Sequence, residues 1–282
     1  MSPSTGSYNI AMVIGDPISH SLSPILHNGW IEDLGLTGEY IAKQIAAEDL
    51  AEAFDAFRHS EELRGFNITL PHKEAALELV DEVEETAEII GAVNTVIIAD
   101  GKLLGFNTDA YGFWQNLKAH EENIANYLNH PVVNGAGGAA RAVLYALEKA
   151  GAKNITVVAR DVQKAESLKE VTKSITIIPF SDFQAVISNV SLLINTTPLG
   201  MKGKEAYEWN LDGLARDAVV TDIVYNPIQT SLLKAATARG NKTIDGLGML
   251  IFQALPGFEA WFGGRPELNK EALKTLKKRL AE

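Results

Sequence analysis

The stretch V-V-N-G-A-G-G-A-A-R, residues 132–141, decides the fold. An apolar run stops at Gly135, Gly137 and Gly138, and the residues that follow, 139–150, have the composition of a long helix. Strand, tight turn and helix are expected in that order. Gly135 can take the backbone through angles that a side chain forbids, Gly137 lets the main chain approach an anion, and Ala140 fills the third fingerprint position with little bulk. The unpaired amides and positive dipole end of the new helix would face a pyrophosphate, with Ala136, Gly138 and Ala139 completing the turn. A glycine-rich turn alone is often only a loop, so its surroundings carry the decision.

Those surroundings are a βαβ unit. Gly151 closes the helix and residues 155–159 form a second strand, a repeat of roughly 30 residues in which the glycine fingerprint marks a dinucleotide site. Residues 174–178, 191–195 and 218–224 continue the alternation. Two of these strands end in polar groups, Asn195-Thr196-Thr197-Pro198 and D-I-V-Y-N-P at 222–227, typical lining positions for the inner half of a dinucleotide. The end of the second strand selects the cofactor: a carboxylate there binds a bare ribose diol, whereas an arginine grips the extra phosphate of NADP. The sequence reads Ala159-Arg160-Asp161. Arg160 argues for NADP; Asp161 leaves NAD possible unless it only caps the next helix.

The totals suit a soluble enzyme. The 282 residues suffice for two domains, and 46% hydrophobic with 22% charged residues leaves ample material for a core. Thirty-six acids against twenty-five bases give a net charge of -11, which disfavours a sequence-independent nucleic-acid partner. No apolar run approaches the roughly 18 residues of a membrane span, and residues 1–8 lack the layout of a signal peptide, so a cytoplasmic location is expected. Without cysteine there is no disulfide, thiolate zinc site or cysteine nucleophile, and the six histidines show no ligand spacing, so no metal is expected.

In the first hundred residues, 8–14 reads as a buried strand ended by Gly15-Asp16-Pro17, and I-S-H-S-L-S-P at 18–24 leads into a helix at Ile25. Ser23-Pro24 has two readings: an N-cap with proline at the first helical position, or, with Ser21, a pair of hydroxyls cradling a small carboxylate. Residues 40–45 look like a strand and 46–57 like an amphipathic helix. In G-F-N-I-T-L-P-H-K at 65–73, Asn67 and Thr69 share one face of an extended segment, and Pro71 then delivers Lys73 to a helix start, where a cation gains nothing from the macrodipole. Residues 75–90 read as one acidic helix. G-A-V-N-T at 91–95 opens a strand, Asp100-Gly101 is a hairpin signal, and the returning strand ends in G-F-N-T-D, with Asp109 at the mouth of a helix over 110–120. The polar strand ends Asn67, Thr69, Asn94, Thr95, Asn107 and Asp109 are therefore candidates to converge beyond the carboxyl ends of a sheet. Residues 121–131 read as a linker. Gly246-Leu247-Gly248 precedes a helix carrying Met249 and Gln253 on one face, and 268–280 is a basic amphipathic helix suited to packing back on the first domain.

Taken together, S-L-S-P, G-F-N-I-T-L-P-H-K, G-A-V-N-T, G-F-N-T-D, G-A-G-G-A-A-R, N-T-T-P-L-G-M and D-I-V-Y-N-P resemble the shikimate/quinate dehydrogenase family in order and spacing, from about Ile10 to Gly263. The resemblance implies two α/β domains around a cleft: an N-terminal substrate domain with a mostly parallel open sheet, 1–112 completed by 248–282, and a Rossmann domain, 113–247. It implies NADP-dependent interconversion of 3-dehydroshikimate and shikimate, a step toward chorismate and the aromatic amino acids. By motif, Ser21 and Ser23 would bind the substrate carboxylate; Asn67, Thr69, Asn94, Asp109 and Gln253 would hold its hydroxyls. Lys73 and Asp109 would be the catalytic pair. Tyr225 would line both substrate and nicotinamide, beside Val224, Gly246 and Met249. Two positions depart from the family: Ala159-Arg160-Asp161 replaces the usual Asn-Arg-Thr, and Asn134 ends the first Rossmann strand where an apolar residue is usual. Quinate or aminoshikimate as substrate, and a non-catalytic metabolite sensor, are the competing expectations; a monomer or homodimer is expected.

Overall fold

A computed structural model describes residues 8–204 and 207–281; residues 1–7, whose composition argued against a leader segment, lie outside the described residues. The chain divides into two units, Met1–Thr108 with Gln253–Glu282, and Asp109–Phe252.

In the first unit β1 (Asn9–Gly15), β2 (Gly38–Gln44), β3 (Leu63–Ile68), β4 (Glu82–Val83), β5 (Thr95–Ala99) and β6 (Lys102–Phe106) form one sheet, ordered β2-β1-β3-β5-β6-β4. β1 pairs parallel with β2 and β3, and β4 with β6; β5 runs antiparallel to both its neighbours. The β5–β6 hairpin turns at Asp100-Gly101, both at positive φ (52° and 74°), the conformation this dipeptide favours. On one face Met12, Ile14, Phe66 and Ile68 share a core with Phe54 and Phe57 of the helix Leu50–Arg58. The two-residue period of β3 sends Asn67 to the other face, where Tyr40, His27, Trp30, Phe258 and Trp261 pack ring against ring. Full burial of one such aromatic side chain contributes roughly 2–3 kcal/mol.

The single acidic helix expected over 75–90 is not there. The segment breaks into a 3₁₀ turn (Ala75–Glu78), β4, and a short helix (Glu85–Ile90). Acids four apart, as at Glu78 and Glu82 or Asp81 and Glu85, oppose a continuous helix. The backbone instead pairs with β6: the Asp81 and Glu84 amides donate to Leu103 and Gly105, each at 2.9 Å. The Asp81 carboxylate accepts the Leu103 amide and Arg58, both at 2.7 Å. Likewise 46–57 splits into a 3₁₀ turn (Ala47–Asp49) and the helix Leu50–Arg58. The C-terminal helix, Lys270–Ala281, packs against the helix Ser23–Asp33 with Leu273 and Leu276 buried.

In the second unit β7 (Pro131–Asn134), β8 (Ile155–Ala159), β9 (Ile175–Pro179), β10 (Leu192–Asn195), β11 (Val219–Asp222) and β12 (Lys242–Ile244) form a wholly parallel sheet, ordered β12-β11-β10-β7-β8-β9. The chain builds three strands outward from β7, then returns and builds three the other way, so the strand order reverses between β7 and β10. β7, β10 and β11 are buried at every position, which requires cover on both faces and explains their continuous apolar reading. The helix Gly138–Lys149 buries Ala140, Val143, Leu144 and Leu147. The linker 121–131 holds a 3₁₀ turn, Ile124–Tyr127. Among the described residues no helix is long and apolar enough to cross a membrane.

Gly65 sits in β3 at φ 157°, and a Cβ there would run into the Val96 carbonyl oxygen and the Trp261 indole nitrogen, which are themselves hydrogen-bonded at 3.1 Å. Gly65→Ala is expected to destabilise the protein by about 3 kcal/mol or more, read from urea unfolding; a loss under about 1 kcal/mol would show that the indole moves aside freely.

Candidate functional site

In the first unit the polar strand ends close on one another. The Tyr40 hydroxyl, buried, donates to Asn67 Oδ1 at 2.6 Å. Asn67 Nδ2 donates to the Asn94 carbonyl (3.1 Å) and Thr95 Oγ1 (3.0 Å). Asn94 Oδ1 accepts the Thr108 amide (2.8 Å) and the Thr95 hydroxyl (2.9 Å), while its Nδ2 donates to Thr108 Oγ1 (3.0 Å) and Gln253 Oε1 (3.2 Å). Asn67, Asn94, Thr95 and Gln253 thus belong to one network, which Tyr40 and Thr108 complete. Tyr40 had read only as the start of a strand. Burial holds that phenol well above its ordinary pKa, so it stays a neutral donor. His27 stacks on Tyr40 at 3.9 Å and 6°; burial lowers its pKa to about 3, so the ring is neutral.

The serine cap is corrected. The helix begins at Ser23, Leu22 occupies the capping position without a side-chain bond, and the Ser23 amide donates to Ser21 Oγ at 3.3 Å. The Ser23 hydroxyl therefore stands at the first turn without capping it, while that of Ser21 accepts the first amide of the helix. Thr69 follows β3, its amide bonded to Ile14 at 2.9 Å. Lys73 lies on the turn 71–74, half-buried, its carbonyl accepting the Val93 amide at 2.8 Å next to Asn94; His72 beside it is buried with Nε2 2.7 Å from the Ile45 carbonyl. Asp109 is the buried first residue of the helix Asp109–His120, which opens the second unit.

The glycine turn of the second unit has the shape its sequence implies. Gly135 adopts φ 119°, and a Cβ there would strike Thr196 Oγ1 at 2.5 Å and Thr197 Cγ2 at 2.9 Å, so only glycine fits. A Cβ at Gly137 would meet nothing within 4 Å, which leaves the backbone open at the start of the helix, beside Ala136, Gly138 and Ala139. At the end of β8, Ala159 is buried and Arg160 exposed; among the described residues no hydrogen bond or ion pair holds Arg160. Asp161 accepts the Lys164 amide at 2.9 Å and so caps the next helix, the alternative its position had left open. Gly246 packs so tightly on the Ile223 carbonyl that no side chain fits, and Met249 is half-buried in the helix that follows. Tyr225 is largely buried, which raises its pKa. These features fit a dinucleotide: open backbone at a helix start, and an unengaged guanidinium at the end of the second strand.

Asn134, without explanation in the sequence, has a partner. Its Nδ2 donates to Asn195 Oδ1 at 3.1 Å, and Asn195 Nδ2 donates to Asp222 Oδ1 at 2.9 Å. Asp222 Oδ1 also accepts the Val224 amide (3.0 Å), and Oδ2 the Thr230 hydroxyl (2.7 Å). Burial pushes the Asp222 carboxyl up from 3.8 to about 6 despite these donors. The folded state therefore binds this proton more tightly than the unfolded chain, so the stability it contributes is full below about pH 4 and lost as pH rises through 6. Asp222→Asn is expected to gain on the parent by about 1 kcal/mol between pH 5 and pH 7 in urea unfolding; a difference independent of pH would show that the carboxyl titrates normally.

Residues 13–96 match the family profile described as the shikimate dehydrogenase substrate binding domain, and residues 121–201 the one described as shikimate / quinate 5-dehydrogenase. A protein of Dinoroseobacter shibae named shikimate dehydrogenase (NADP(+)) is 47% identical over 264 residues, 93% of this chain and 95% of its own. The solved structure of shikimate 5-dehydrogenase from Thermus thermophilus in complex with NADP(H) and shikimate is 37% identical, with a TM-score of 0.84 over 96% of this chain and 99% of that one. Quinate dehydrogenase from Corynebacterium glutamicum in complex with NAD gives 31% and 0.86 over 97% and 98%. With both parts of the chain matched and nearly half of its residues shared with a relative along almost its whole length, the chain belongs to the shikimate dehydrogenase family.

Proposed function

We propose that this protein is an NADP-dependent oxidoreductase that interconverts 3-dehydroshikimate and shikimate, on the route to chorismate and the aromatic amino acids. The observation that carries the reading is the closed network of carboxamides and hydroxyls in the first unit, Asn67, Thr95, Asn94, Thr108 and Gln253. A small acid bearing several hydroxyls needs alternating donors and acceptors held in fixed orientation, and these side chains orient one another. In this reading residues 1–112, completed by 248–282, are the substrate half, and 113–247 the nucleotide half. The D. shibae relative carries the same activity in its name, and the T. thermophilus structure holds both NADP(H) and shikimate.

In this reading Ser21 and Ser23 take the carboxylate, and Asn67, Thr69, Asn94 and Gln253 take ring hydroxyls. Gly135, Ala136, Gly137, Gly138 and Ala139 face the pyrophosphate, Ala159 and Arg160 the 2′-phosphate, and Asn195, Thr196, Thr197, Val224, Tyr225, Gly246 and Met249 the nicotinamide side. When bound, the reduced nicotinamide supplies hydride to the ketone carbon. Negative charge then grows on the ketone oxygen; the Lys73 ammonium stabilises it and supplies the proton, and the Asp109 carboxylate orients the pair. Arg160 favours NADP over NAD through its exposed, unengaged guanidinium, and Asp161 does not compete because its carboxylate caps a helix. The working unit is a monomer or homodimer, acting in the cytoplasm.

Steady-state rates with shikimate and quinate, each with NADP and NAD, test the assignment. Shikimate with NADP is expected to give the highest kcat/KM, and Arg160→Ala to raise the KM for NADP more than that for NAD; quinate exceeding shikimate would overturn the substrate. Lys73→Ala is expected to lower kcat by about 10²-fold or more with a modest change in the KM for shikimate, and near-parent turnover would remove lysine from the chemistry.

A further inference from the structure

Asn134 closes β7 one residue before the glycine turn, Asn195 closes β10 one residue before Thr196, and Asp222 closes β11 two residues before Val224. All three are buried, with Asn195 and Asp222 fully enclosed. A carboxylate in such a place is costly, and among the described residues no ion pair involves Asp222; its partners are the neutral donors of Asn195, Val224 and Thr230. Its chemistry here is that of an acceptor: the oxygen that meets Asn195 and Val224 carries no proton to donate.

That one-way character fixes the amide of Asn195. With Nδ2 committed to Asp222 at 2.9 Å, Oδ1 must face the other way, where it accepts Asn134 Nδ2 (3.1 Å), the Thr197 amide (3.2 Å) and the Thr197 hydroxyl (2.7 Å). The same orientation lets Nδ2 reach the Thr197 carbonyl at 3.3 Å. Thr196 in turn donates from its hydroxyl to the Asn134 carbonyl at 2.8 Å, and its side chain fills the space over Gly135. Asp222 Oδ1 sets the Val224 amide directly, and the Asp222 carbonyl borders Gly246, where a Cβ would come within 2.9 Å of it. The turns after β7, β10 and β11 are thus registered through one acceptor.

We propose that Asp222 is a positioning residue for the dinucleotide: by fixing the amide orientation of Asn195 and the Val224 amide it holds three nucleotide-facing turns in a common register. The inference rests on the reading of this unit as the NADP-binding half, and it concerns a residue that touches the nucleotide only through others.

The test is calorimetric titration of the full chain with NADP, beside the KM for shikimate and the melting temperature, for the parent, Asp222→Ala and Asp222→Asn. Asp222→Ala is expected to raise the Kd for NADP about tenfold or more while the KM for shikimate stays within about twofold. Asp222→Asn is expected to restore most of the binding, because an amide oxygen can take the Asn195 and Val224 donors. A folded Asp222→Ala that binds NADP like the parent overturns the proposal, as does a parallel rise in both substrates' constants with a lowered melting temperature, which marks a merely structural role. Should Asp222→Ala not fold, Asp222→Ser decides, because its hydroxyl is one bond too short to hold the Asn195 and Val224 donors as Oδ1 does: a Kd raised about threefold supports the proposal and a parent-like Kd overturns it. A parent that fails to bind NADP sinks the dinucleotide reading itself, whereas a parent that binds and is matched by Asp222→Ala removes only the role of Asp222.

Discussion

The first unit depends on the hydrogen bonds of one buried carboxamide. Asn94 reaches through its oxygen and its amide nitrogen to groups drawn from β5, the segment after β6, and Gln253, 159 residues away. An unsatisfied amide at that depth would cost a few kcal/mol, so the helix Leu247–Phe262 must return to this sheet for the network to close. The same helix brings Phe258 and Trp261 against His27 and Tyr40, and apolar burial thereby secures the polar side chains beside it. Packing and polar pairing act on the same elements here; neither is an addition to the other.

The second unit is governed by close approach. Gly135 and Gly246 lie where a methyl group would collide, one with the Thr196-Thr197 pair and one with the Ile223 carbonyl. Glycine at these positions brings loops from separate strands within contact at the carboxyl edge of the sheet, where the reversal in strand order separates adjacent loops and leaves room for a ligand. Gly137, by contrast, has free space around it, and the difference distinguishes a glycine needed for packing from one needed for access.

Much of this was legible in the sequence. The parallel sheet of the second unit followed from alternating apolar runs, the glycine turn from its spacing, and the β5–β6 hairpin from Asp100-Gly101. The acidic segment at 75–90 was not, because composition registers helix-forming residues but not the competition from an unpaired sheet edge that can satisfy the same amides. Tyr40 and Thr108 escaped notice since each reads locally as a strand or turn residue; only tertiary packing brings the phenol to Asn67 and the hydroxyl to Asn94. Asn134 stood out as a polar residue at the end of an apolar strand, and that oddity was the available signal of the buried chain through Asn195 to Asp222. The roles of Ser23 and Asp161 each had two local readings, and the structure divided them, with Asp161 capping and Ser23 not.

The capping bond of Asp161 bears on how this lineage can drift between cofactors. An acid at that turn would ordinarily be the raw material for recognising an unphosphorylated ribose, yet this one is already committed to starting a helix of four residues, Val162–Ala165. Redirecting it would fray that helix, so a change of nucleotide that drew on this acid would cost the helix its start, and secondary structure holds the carboxylate in place.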